Sequence, residues 1–152
     1  MSCNCTTYQD SKEILSKVLA NTYVLYLKTQ NVHWNVKGVA FREIHLMTEE
    51  HYNNLFLAID EIAERLRMIG ERAPATFSEF TELACLSDKL ESKNSDEMLT
   101  ALLDDHKSMA AALKKMLGFL GNSDDFGTID LLNVRLKFHE KTVWMLSSTL
   151  NN

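Results

Sequence analysis

The sequence predicts an all-α protein: four long helices in a bundle, with a short extra helix in the crossover between the second and third. Three observations predict it. Hydrophobic residues make up 45% of the 152 positions, with only one proline and five glycines, a composition that favours helices. Apolar residues recur at three- and four-residue steps through four long stretches, the spacing of one face of a helix. No series of segments alternates apolar and polar residues as strands would. The length suits one domain over residues 1–152 with a single substantial core, residues 1–9 being expected as a mobile N-terminal tail.

The first helix is expected to begin at Asp10-Ser11-Lys12-Glu13, where Asp10 can accept from first-turn amides and Glu13 can reach back. Ile14, Leu15, Val18, Leu19, Val24, Leu25 and Trp34 carry its apolar positions, and Gly38 permits a reversal. The second helix runs from Phe41 to Gly70 on the stripe Phe41, Ile44, Leu55, Ile59, Ile62, Leu66 and Ile69. Pro74 ends it, because proline supplies no amide donor and its predecessor disfavours helical dihedrals. Residues 77–86 are read as the short connecting helix. Asn94-Ser95-Asp96-Glu97 caps the third long helix, whose core face includes Met98, Leu102, Leu113 and Leu120 before Gly121 closes it. Asp124 and Asp125 open the fourth, with Ile129, Leu132, Leu136, Val143 and Leu146 as apolar positions. No internal repeat, low-complexity segment or interior linker interrupts this order.

The chemistry is concentrated in the second helix and the turn before it. His45, Glu49, Asp60 and Glu64 share a polar stripe beside the apolar one, as two pairs each one turn apart. His33 and His45 each lie six residues from position 39, so an antiparallel hairpin sets both imidazoles at the same height. His33, His45 and Glu49 then form one half-site. Asp60 and Glu64 lie roughly 22 Å further along the helix and cannot reach the same ion. A two-fold axis near residue 54 would bring them opposite His33, His45 and Glu49 of a second copy. The spacing therefore suggests a dimer with two equivalent interface sites of mixed imidazole and carboxylate ligands, suited to iron or zinc.

At these residues the sequence resembles a known family. His33-Trp34-Asn35-Val36-Lys37-Gly38, then Phe41, His45 and Glu49, then Asp60-Glu61-Ile62-Ala63-Glu64-Arg65, are similar to the Dps mini-ferritins, ferritin-like proteins named for DNA protection in starved bacteria. His139-Glu140-Lys141-Thr142-Val143-Trp144-Met145-Leu146 looks like that family's last helix. The resemblance covers nearly the whole chain and implies a ferritin-like four-helix bundle with the short helix in its crossover. It further implies a hollow shell of twelve subunits built from two-fold dimers. In that shell ferrous iron is oxidised at inter-subunit sites, preferably by hydrogen peroxide and more slowly by oxygen, and stored as ferric mineral. His33, His45, Glu49, Asp60 and Glu64 would be both the metal ligands and the catalytic residues of this ferroxidase, with zinc as a competitor. Glu49 stands where the family often has Asp. The resemblance also places a tryptophan, Trp34, beside the iron as an interceptor of stray oxidising equivalents, against which simple interface packing weighs equally. It puts Asp124, Asp125 and Asp130 near three-fold pores for iron entry, although helix-dipole stabilisation alone would account for carboxylates there.

Other classes fit less well. No Glu-x-x-His occurs, which disfavours an intrasubunit di-iron site. A formal net charge of −5 opposes unspecific attraction to DNA or anionic membranes, and the lysine-rich arm of DNA-binding relatives has no counterpart in residues 1–10. A DNA-protecting binding protein and a structural, zinc-binding shell without turnover stay as alternatives. Three cysteines without a disulfide-like framework, with no secretory signal or membrane-length apolar run, point to the cytoplasm. Cys3 and Cys5 form a Cys-x-Cys pair that more often binds nothing, and Cys85 reads as a packed side chain. His51, His106 and His139 read as structural or solvent-facing.

Overall fold

The computed structural model describes residues 5–92 and 94–150. Five helices and no strands make up the described residues: α1 (Cys5–Asn35), α2 (Phe41–Met68), α3 (Phe77–Leu83), α4 (Ser95–Leu120) and α5 (Phe126–Thr149). Long α1 packs along α2 and α4 along α5, while short α3 lies against α1 in the crossover. This is the predicted four-helix bundle with an extra helix.

Five element ends show which signals governed. Helix α1 starts at Cys5 rather than Asp10, because nothing in residues 5–9 stops a helix from propagating through a cap-competent Asp. Of the expected N-terminal tail, residues 1–4 lie outside the described residues and the chain is helical from Cys5. The Ser11 hydroxyl donates to the Asp125 carboxylate at 2.6 Å. Helix α2 stops at Met68, before Pro74 can act, since Gly70 turns into the left-handed region at φ +88° and Glu71 N–H bonds back to the Leu66 carbonyl at 3.0 Å. Helix α3 is shorter than residues 77–86: Ala84 turns extended, and the Asn21 side-chain oxygen accepts from both the Cys85 and Leu86 amides at 2.9 Å, tying them to α1. The Asn94 cap of α4 and the Asp125 cap of α5 form as expected.

The core divides into two apolar clusters. One gathers Leu15, Leu19, Ile62, Leu66, Leu113 and Leu132, the other Leu25, Val32, Leu55, Leu99, Leu102 and Leu146. On α5, Arg135, His139 and Thr142 are buried between Leu132 of the first and Leu146 of the second. Trp34 is not part of either core: it is 62% exposed.

Candidate metal centre

Gly38, at φ +112°, permits the tight reversal from α1 into α2. The hairpin sets His33 and His45 level, and their rings stack with centroids 3.6 Å apart. Each ring is locked by the other residue's backbone: His33 Nδ1 lies 2.8 Å from the His45 carbonyl, and His45 Nδ1 lies 2.8 Å from the His33 carbonyl. A carbonyl only accepts, so each Nδ1 must carry the hydrogen and donate. Both Nε2 atoms are consequently left with a free lone pair, the tautomer a metal ligand needs. Phe41 packs against His45 at 5.0 Å and Tyr52 meets His33 edge-on at 5.1 Å, which fixes the ring planes. Glu49 follows His45 by one turn on α2 and is half-buried.

Asp60 and Glu64 lie exposed further along α2. Among the described residues no three His, Cys, Asp or Glu side chains converge within one chain. One chain thus brings His33 and His45 together, does not gather Glu49 with them into a three-residue cluster, and leaves Asp60 and Glu64 apart, as the helix geometry requires. The outer face of α2 between these groups carries exposed Leu46, Phe56 and Leu57, large apolar surface of the kind that marks an interface.

Of the three pore candidates, Asp124 and Asp130 are exposed. Asp125 is not available to a passing cation. It is buried, paired with the Arg65 guanidinium, bonded by Ser11 and capping the Thr128 amide. Burial alone would raise the Asp125 carboxyl, but the bonds from Ser11, Thr128 and Arg65 outweigh it and hold it below the usual carboxylate range. Asp130 lines a surface cleft of about 400 Å³ together with Glu61 and Glu64.

The three other histidines are neither solvent-facing nor scattered. His51 is 4% exposed, His106 0% and His139 1%. His106 and His139 share a hydrogen bond between their Nδ1 atoms at 2.9 Å, and the His51 ring lies 6.3 Å from His106. Arg135 stacks its guanidinium on Phe138 at 4.5 Å and donates to Asn54. Burial is the main cause that lowers His51 to about 4, His139 to about 3 and Arg135 to about 10; it also leads in pushing His106 well below the ordinary histidine value. A usable signal was present in the sequence. Positions 128, 132, 135, 139, 142 and 146 repeat at three and four, so Arg135 and His139 share a face with Leu132 and Leu146.

Comparison with known proteins agrees with this architecture. The ferritin-like domain model matches residues 12–152. This chain belongs to the ferritin-like Dps family. It is 38% identical over 139 residues to "DNA protection during starvation protein 2" of Bacillus anthracis, covering 91% of this chain and 95% of that protein. The crystal structure of Dps from Vibrio cholerae O1, described as a member of a broad superfamily of ferritin-like diiron-carboxylate proteins, superposes with a TM-score of 0.91 at 32% identity over 99% of this chain and 98% of that one. Dps from Listeria innocua soaked with zinc gives a TM-score of 0.89 at 27% identity over 93% and 97% of the two chains. Membership in this family supports a role in iron storage and protection. Among the described residues no helix is long and apolar enough to cross a membrane.

Proposed function

We propose that this chain is the subunit of an iron-storing, peroxide-consuming ferroxidase shell. The observation that carries the reading is the reciprocal locking of His33 and His45, which frees both Nε2 atoms at one height, with Glu49 one turn from His45 along α2. A second copy, related by a two-fold axis near residue 54, would supply Asp60 and Glu64 and complete the ligand set. Leu46, Phe56 and Leu57 would be covered in that contact. Ferrous iron is the substrate. Imidazoles hold the ferrous ion well, and the carboxylates, as hard oxygen donors, favour the ferric product. Hydrogen peroxide takes two electrons from two ferrous ions, which avoids the hydroxyl radical of a one-electron step. Twelve subunits enclose the mineral, and the exposed Asp124 and Asp130 guide cations inward. Zinc, to which the same ligands are suited, would compete for the site. Trp34 would be covered in the assembly rather than stand open to solvent.

The test is an anaerobic ferrous titration followed by peroxide, reading ferric absorbance. Asp60→Ala with Glu64→Ala should abolish rapid oxidation, and so should His33→Ala with His45→Ala. Co-assembling the two inactive variants should restore activity, because each mixed dimer regenerates one intact site. Failure of the mixture to recover would rule out the shared site.

A further inference from the structure

A buried cationic cluster surrounds Phe138 between α2, α4 and α5. The Arg135 guanidinium lies 4.5 Å from the centre of that ring, and the rings of His139, His106 and His51 lie 5.3, 5.9 and 6.3 Å from it. Arg135 is 3% exposed and stays a cation at neutral pH, since burial lowers it only to about 10. Among the described residues no carboxylate forms an ion pair with it. Asp105, next to His106, is taken by Lys28 at 2.7 Å, and Glu61, whose charge is felt at Arg135, is exposed. A buried charge without a counter-charge is costly. Hydrogen bonding is incomplete as well: Arg135 Nη1 donates to Asn54, but Arg135 Nε and Nη2, both His51 nitrogens and His106 Nε2 are buried without a partner. Counting hydrogens shows what would satisfy them. Nε and Nη2 offer three, and a neutral His51 always offers one more together with one lone pair. Water brings as many hydrogens as lone pairs and leaves that excess of donors in place, whereas an anion only accepts. A cleft of about 190 Å³ runs from exposed Glu50 and Lys141 to buried His51, and Asn54 and Phe138, which hold Arg135, line it too.

We infer that the bundle interior binds a small monovalent anion of the halide class, such as chloride, on the edge of Arg135 formed by Nε and Nη2, with N–H groups of His51 and His106 as further donors. That edge presents two N–H groups in one plane, the geometry in which a guanidinium grips an anion. One negative charge balances the single permanent charge of the cluster; a doubly charged oxyanion would replace an uncompensated cation with an uncompensated anion. Among the described residues no three His, Cys, Asp or Glu side chains converge here to hold a metal, and the charge of Arg135 has the wrong sign for one. The anion also fixes the imidazole tautomers. His106 turns Nε2–H toward it, so His106 Nδ1 accepts and His139 Nδ1 donates across their 2.9 Å bond. One ion thereby ties Arg135 of α5, His106 of α4 and His51 of α2 together. The three helices cannot part without releasing it, so the stability of the bundle depends on halide concentration. The site goes beyond the iron chemistry proposed above and does not rest on it.

The experiment uses the full chain in its native assembly with bromide as the probe. Crystals grown in sodium bromide are measured at the bromine absorption edge. In parallel, Tm is followed as sodium bromide replaces sodium gluconate, whose anion is too large for the site, at constant ionic strength and protein concentration. The expected result is one anomalous peak per subunit within hydrogen-bond reach of Arg135 Nε and Nη2, together with a Tm that rises with bromide and saturates as a single site does. Arg135→Gln should lose both the peak and the bromide dependence. The two native-sequence arms decide the matter even if that variant does not assemble. Water density without anomalous signal beside Arg135, bromide peaks confined to the surface, a Tm equal in bromide and gluconate, or a bromide dependence that survives Arg135→Gln would each overturn the inference.

Discussion

Two histidine groups sit within a few turns of each other and are prepared for opposite ends. His33, buried, and His45, half-buried, meet at a helix hairpin, each with one nitrogen committed to a backbone carbonyl and the other free. His51, His106 and His139 are sealed inside the bundle with a buried arginine as their charged neighbour. Residue type is the same in both. What differs is the company: His45 has Glu49 one turn away, while His106 and His139 face Arg135 and His51 faces Lys141, positive charges that repel a cation and oppose protonation. A histidine cluster becomes a metal centre only where its free lone pairs meet negative charge.

The largest expected effect sharpens that contrast through activity. His33→Ala with His45→Ala should lower peroxide-driven ferrous oxidation by at least about a hundredfold. His106→Leu with His139→Leu should leave it within a few-fold of native, measured under the same anaerobic loading.

Stability separates the groups in the other direction. His139→Leu alone strands the buried His106 Nδ1 and should cost about 1–3 kcal/mol, whereas the double leucine variant removes both partners and should cost less than the sum of the two singles. Denaturant midpoints for the four proteins of the cycle decide it. Strictly additive losses would mean that the 2.9 Å contact contributes nothing.

Acid should act on the inner group. His106 and His139 titrate lower folded than unfolded, so the unfolded chain binds more protons below its own pKa of about 6.5. Stability is therefore complete above that pH and falls as pH drops toward about 3, where His139 itself titrates. Facing these imidazoles are His51 from α2 and Arg135 from α5, while Lys28 of α1 is neutralised by Asp105 at 2.7 Å. Melting temperature between pH 7 and pH 4 should decline less in the double leucine variant than in the native protein.

The smallest effect is a silence. Zinc titration followed by histidine ring resonances should shift His33 and His45 and leave His106 and His139 in place; movement of the inner pair would collapse the comparison.

Much of this could be read before the fold was known. Four helices were legible because long apolar stripes at helical spacing have no other use in a chain with one proline. The His33 and His45 pairing was legible because a hairpin about a glycine is symmetrical. Signals failed where a distant partner overrode a local rule. Asn21 ends α3 from more than sixty positions away, and Arg65 with Ser11 claims Asp125, which by itself looks like a solvated carboxylate. The inner histidines read from sequence as structural or solvent-facing, and the structure selects the buried alternative; for His139 the spacing against Leu132 and Leu146 already pointed inside.

The buried Arg135, His139 and Thr142 also act as a registration mark for assembly of the bundle. Leucine-lined helices can slide past one another by a turn, about 5.4 Å, and still find oil for oil. Here such a slip would press the guanidinium against Leu132 or Leu146 partners and tear the His106 bond and the Asn54 bond together. Only one alignment of α5 on α2 and α4 satisfies all three helices at once. In the proposed assembly His33 sits at a fixed height on α1 and His45, Glu49, Asp60 and Glu64 on α2, so that single alignment would also set how the chain's outer face meets a second copy.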